Sequence, residues 1–144
     1  MKTLLAVSLV AVHMLTSCSG LEQARELKRN RDLWAAQKIT NYRYTFQMIC
    51  FCKEDVVKPV VVEVRGGAHA SITRAGGQTE QVEGYYTLEN LFDVVQAAID
   101  KKVDKLSVTY DKQYGYPTSI KIDPKLNTTD DETSYIVSNF EVIK

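Results

Sequence analysis

Only three cysteines, three prolines and one tryptophan occur in the 144 residues. So few cysteines exclude a multi-disulfide scaffold. The seven glycines fall at turns rather than in a linker, and the chain carries no internal repeat and no low-complexity tract. Charge of one sign is also missing, with 18 basic residues facing 18 acidic ones. That balance gives no electrostatic case for nucleic acid or for an acidic membrane surface. Histidine is scarce, at two. No serine, histidine and acid arrangement can be assembled around His69, and no glycine-rich phosphate loop is present.

What is there begins with the first eighteen residues. Lys2 supplies a positive start, and Leu4 to Leu15 form an apolar stretch broken only by Ser8 and His13. The stretch is too short to span a bilayer and ends at small residues, which is the pattern of a cleaved leader. Leu15-Thr16-Ser17-Cys18 resembles the lipobox of bacterial lipoproteins. That resemblance implies thioether lipidation of Cys18, cleavage before it and acylation of the new amino terminus. Each buried methylene is worth about 0.8 kcal/mol, so several acyl chains hold where one is marginal. The next residue is Ser19, not aspartate. By resemblance to sorting behaviour, this favours the outer membrane, facing the periplasm, in a Gram-negative host.

Removing Met1–Ser17 from the 144 residues leaves 127, one domain's worth. The expected organisation is a signal peptide over 1–17, a lipidated helical tether over 18–30 that lifts the domain off the membrane, and a single domain over 31–144. Eight tyrosines and abundant valine favour strands. Tyr42, Tyr44, Phe46, Met48, Cys50 and Cys52 alternate with polar or outward residues, so a strand is expected over Asn41–Cys52 with this set on one face. Lys53-Glu54-Asp55 reads as a turn. A strand follows over Val56–Arg65, its start pushed toward an edge or bulge by Pro59. Gly66-Gly67 is a hairpin turn, and Ala68–Arg74 a third strand. Trp34, on a helix over Asp32–Ile39, reads as a core anchor.

Thr87 can cap a helix whose stripe is Leu88, Leu91, Phe92, Val95, Ala98 and Ile99. Glu89 suits its N-terminus, and Lys101 and Lys102 its C-terminus. Leu106, Val108 and Tyr110 share a face of a fourth strand, and Asp111 to Tyr116 forms a turn ended by Pro117. Ser119–Asp123 and Tyr135–Ile143 complete the strands, the last with Ile136, Ser138, Phe140 and Val142 on one side. Only one helix is placed to supply a parallel crossover. The expected class is therefore α+β, an antiparallel sheet of about five to six strands with two helices packed on one face. It is cystatin-like or PepSY-like by analogy, and such folds host many functions.

Trp34, Asn41-Tyr42-Arg43-Tyr44, Cys50-Phe51-Cys52, Thr87-Leu88-Glu89-Asn90-Leu91-Phe92, Tyr110-Asp111, Tyr114-Gly115-Tyr116-Pro117-Thr118 and Asp131-Glu132 before Tyr135 occur in that order. Together, over about residues 31 to 144, they resemble an uncharacterised family of bacterial envelope proteins, domain of unknown function number 6174. The resemblance implies location and architecture and carries no catalytic residues.

Cys50 and Cys52 are the only cysteines left once Cys18 is lipidated, and outside the cytoplasm disulfides persist. In an extended strand their Cα atoms would lie roughly 6.5 Å apart, whereas a disulfide wants its Cβ atoms about 3.5–4.5 Å apart. A bond here needs a bulge or a turn, and a strained bond would make a reducible redox pair. Two half-buried thiols, or a stiff disulfide closing the strand end, are the plainer readings. The pair plus His69 would make only three metal ligands where structural zinc takes four. Asp123, Asp130, Asp131 and Glu132 lack the ligand spacing and glycine of an EF-hand and read as a solvated acidic loop, so no metal site is assigned. Asn127-Thr128-Thr129 is an incidental sequon. Tyr114, Tyr116 and Pro117 suit either a recognition surface or a turn packed over the sheet edge.

These readings converge on a lipid-anchored, non-catalytic binding or accessory module of the cell envelope. It holds the membrane through lipid on Cys18, meets an unknown envelope protein or ligand, and needs no cofactor and no nucleic acid. The alternative is thiol–disulfide or thiol–metal chemistry at Cys50 and Cys52.

Overall fold

In the computed structural model, residues 17–67, 69–77, 79–82 and 86–144 are described. The leader and the start of the lipobox lie outside them. Helix α1 spans Ser17–Gln37, strand β1 Tyr42–Ile49, a one-turn helix α2 Glu54–Val57, β2 Val60–Arg65, β3 His69–Thr73 and β4 Thr79–Val82. Helix α3 spans Leu88–Asp100, followed by β5 Lys105–Tyr110, β6 Pro117–Asp123 and β7 Thr133–Val142. The strands form one sheet in the order β4-β3-β2-β1-β7-β6-β5. Every pairing is antiparallel. The α+β class and the antiparallel sheet are as the sequence predicts, with seven strands rather than five or six.

The extra strand is β4. Its four residues, Thr79-Glu80-Gln81-Val82, carry no apolar alternation. It forms because β3 would otherwise leave a row of unpaired backbone groups at the sheet edge. β2 starts later than expected. Pro59 has no N–H to give a ladder, so pairing begins at Val60, and Glu54–Val57 turns as a helix instead. Pro117, by contrast, opens β6, the first-residue position that a strand tolerates for proline.

One face of the sheet is buried. Tyr42, Tyr44 and Phe46 of β1, Val60, Val62 and Val64 of β2, Ile72 of β3 and Ile120 of β6 all point into a single core. That core is closed by Leu27 and Trp34 of α1 and by Leu88, Leu91, Phe92 and Val95 of α3. Full burial of a side chain of this size is worth about 1.5–3 kcal/mol. The α3 stripe follows the expected helical spacing, and Thr87 caps it in a reciprocal box with Asn90.

Two expectations change. The helix over Ser17–Gln37 is unbroken, and Leu27 is buried within the core. The packed body therefore begins before residue 31, and residues 18–30 are not a separate tether. In β7, Phe140 does not share a side with Ile136 and Ser138: it packs against the core together with Tyr135 and Val137. Thr45 pairs with Ser138 and Arg43 with Glu141, so Asn139 and Phe140 together oppose Tyr44. This bulge, with Asn139 at φ 51°, reverses the alternation and turns Phe140 inward.

Candidate functional site

β1 ends at Ile49, three residues before the expected end, and the chain bends through Cys50-Phe51-Cys52. The amide of Cys52 donates to the carbonyl of Cys50 at 2.8 Å. That tight turn brings the two Cα atoms to 5.2 Å, and the sulfurs are joined. The cysteines thus lie off the strand, at its tip, in the turn that the spacing argument requires. Phe51, held between them, is 83 % exposed. Sulfurs bonded to each other present no thiolate to a metal, so the thiol–metal alternative has no ligands while the bond stands. His69 lies in β3, and its side chain is outside the described residues.

The tyrosine-rich turn is packed, which corrects the recognition-surface reading of Tyr114, Tyr116 and Pro117. Asp111 builds it: its Oδ1 accepts from the amides of Gln113 at 2.9 Å and Tyr114 at 2.7 Å, while its own amide donates to the carbonyl of Tyr116. Tyr116 and Pro117 are buried, and Tyr114 is half-buried. The rings of Tyr114 and Tyr116 meet Phe140 at 5.2 and 4.7 Å. Burial pushes the Tyr116 phenol up to about 12, with the Asp111 carboxylate adding to it. Gly115 sits at φ 86°, where a Cβ would lie 2.6 Å from the Asn30 carbonyl of α1. The turn is a clasp on α1.

Glu89 takes a part that its place in the first turn of α3 did not reveal. Its carboxylate accepts from Trp34 Nε1 and from the Tyr42 hydroxyl, each at 2.8 Å. The Tyr42 oxygen in turn accepts from the amide of Leu88 at 3.0 Å. One carboxylate thus ties α1, β1 and α3 together. Burial, and then the Glu89 charge, push the Tyr42 phenol well above its usual range. Tyr44 donates to the carbonyl of Tyr86 from the same core face.

At the other end of the sheet Asp123, Asp131 and Glu132 bring one carboxylate oxygen each within 4.8 Å of one another. Among the described residues, Asp123 Oδ1 and Asp131 Oδ1 are shielded from water without a hydrogen-bond partner. Loss of solvation, then repulsion from Glu132, Asp131 and Asp104, raises the Asp123 carboxyl above the ordinary range. The sequence reading of a wholly solvated acidic loop underestimates this convergence, because Asp131 is brought to Asp123 by the β6–β7 connection.

The model of a family of unknown function, DUF6174, matches residues 26–142. The chain belongs to this family. No curated protein matches it. The matched span holds the core, the Cys50–Cys52 tip, the Glu89 hub and the acidic corner. Cys18 and the leader precede it, so membership in DUF6174 leaves the anchor to be argued from the leader's own residues. Among the described residues no helix is long and apolar enough to cross a membrane.

Proposed function

We propose that this DUF6174 protein is a lipid-anchored, non-catalytic binding or accessory module of the cell envelope. The observation that carries the reading is Leu15-Thr16-Ser17-Cys18 after an apolar stretch too short to span a bilayer. The use of polar side chains to hold the fold together supports the rest. Glu89, at the rim, satisfies the buried Tyr42 and Trp34, and Asp111 builds the clasp. Metabolic labelling with a fatty-acid analogue tests the anchor. Label on the wild type that disappears with Cys18→Ala is expected, and unchanged labelling of that variant sinks it. Turnover of a substrate by the purified protein would overturn the non-catalytic part.

Thiol–disulfide exchange at Cys50 and Cys52 is the second reading, favoured by the pair's position in an exposed bend at the sheet end. Its test is thiol counting and a reduction potential on protein purified from the envelope. A linked pair with an oxidising potential supports exchange. A pair whose potential lies below about −300 mV, the range of structural disulfides, removes it.

A further inference from the structure

Among the described residues seven large apolar side chains are exposed, and five of them lie at one end of the sheet: Leu21, Ile49, Phe51, Val56 and Leu126. The register places them there. Ile49 pairs with Ser134, Ser134 with Lys121, and Lys121 with Ser107, so the ends of β1 and β6 and the starts of β7 and β5 form one row. The tip at Phe51 and the helix α2 carrying Val56 project from that row at β1. Leu126 projects from it in the β6–β7 connection, where its amide donates to Asp104 at 3.0 Å. The strand from whose end Leu126 departs, β6, lies two strand spacings from β1, about 10 Å at about 4.8 Å each. The N-terminus of α1 reaches the same end. Gln23 donates to the Leu106 carbonyl at 3.0 Å, and Ser19 lines a groove with Asp104 and Leu106. Cys18 stands one residue before Ser19.

We infer that this end of the domain is seated on the bilayer, with Phe51 and Leu126 inserted at the boundary between headgroups and acyl chains. The inference rests on the lipidation of Cys18 proposed above. The anchor then brings the bilayer to the end where the apolar side chains are gathered, and no other occupant is placed there by the chain itself. The Cys50–Cys52 bond contributes by fixing the turn that holds Phe51 outward, so no ordering of a loose loop opposes insertion. Charge does not drive the contact. Lys53, Lys101, Lys102, Lys105 and Lys125 at this end are more than offset by Glu54, Asp104, Asp123, Asp130, Asp131 and Glu132. The attraction is apolar, of the kind that seats interfacial side chains in the headgroup boundary, and it does not depend on anionic lipid.

The full chain, processed and lipidated in cells, is reconstituted into phosphatidylcholine vesicles with or without bromine on the acyl chains. Phe51→Trp, Leu126→Trp and Glu141→Trp each add one tryptophan to Trp34, which is buried toward the opposite end beside Tyr42. Brominated lipid should remove much of the emission added at positions 51 and 126 and leave that of Glu141→Trp and of the wild type unchanged. The losses should be the same when anionic lipid is included. Unquenched emission at both 51 and 126 in protein that carries the fatty-acid label overturns the inference and leaves the anchor standing. Absence of label on the wild type removes the anchor, and the inference with it.

Discussion

Gly115→Ala is the sharpest probe of how the β5–β6 turn holds α1. Two costs add. At φ 86° a side chain enters the left-handed region, which costs about 1–2 kcal/mol. The new Cβ would also meet the Asn30 carbonyl at 2.6 Å and Leu33 Cβ at 3.0 Å. The carbonyl belongs to the helix backbone, and α1 cannot retreat without lifting Leu27 and Trp34 out of the core. Overpacking of this kind costs about 1–3 kcal/mol. The total, about 2–5 kcal/mol, is a large part of a small domain's stability of about 5–15 kcal/mol. At about 4 °C per kcal/mol for a domain of this size, Tm should fall by about 8–20 °C. Gly67→Ala is the internal control. Gly67 has φ 70° with nothing within 4 Å of the added Cβ, so it should show the backbone cost alone. Thermal unfolding followed by circular dichroism reads both. Equal shifts for the two variants would refute the clasp, because only Gly115 has a neighbour to strike.

Glu89→Ala should cost about 2–4 kcal/mol, since the Trp34 N–H and the Tyr42 hydroxyl both lose their charged acceptor; Glu89→Gln should recover part of it in urea unfolding, and an Ala variant as stable as the wild type would dismiss the hub. Tyr110, Tyr116 and Tyr135 are raised to about 12, and Tyr42 is raised further. Because the folded values exceed the unfolded one of 10.0, their contribution is intact below pH 10 and is lost as pH rises through the folded values. Stability should hold to about pH 10 and decline toward about 12, and a spectrophotometric titration in which every phenol ionises at the ordinary value would contradict this. For Asp123 the raised carboxyl means the folded state binds its proton more tightly, so stability falls as pH rises above the usual value of 3.8. Asp123→Asn should raise Tm at neutral pH, with the gain fading in acid; a gain that persists unchanged at low pH would show that repulsion is not its source.

What the sequence determined by itself is what short-range patterns encode. The period-two run of Tyr42, Tyr44, Phe46 and Met48, the 3.6-residue stripe of α3 and the Thr87 cap each depend on neighbours within a few positions, and all are found in the fold. Antiparallel pairing was legible because only one helix is placed to supply a parallel crossover. The DUF6174 membership was legible in the order of motifs from Trp34 to Tyr135. Tertiary structure decided the rest. A bulge at Asn139 changed which face of β7 is buried, and no local signal marks it, since it answers to the register of β1. β4 exists only because β3 offers an edge. Tyr116 and Pro117 look like a surface motif until Phe140 and α1 close over them. Glu89 looks like an unengaged surface carboxylate until Trp34 and Tyr42, 55 and 47 positions away, donate to it. The gathering of Phe51, Leu126 and the start of α1 at one end is likewise a property of the sheet register. A period describes which way a residue faces along its own element, whereas what it meets is fixed only when distant elements share a core.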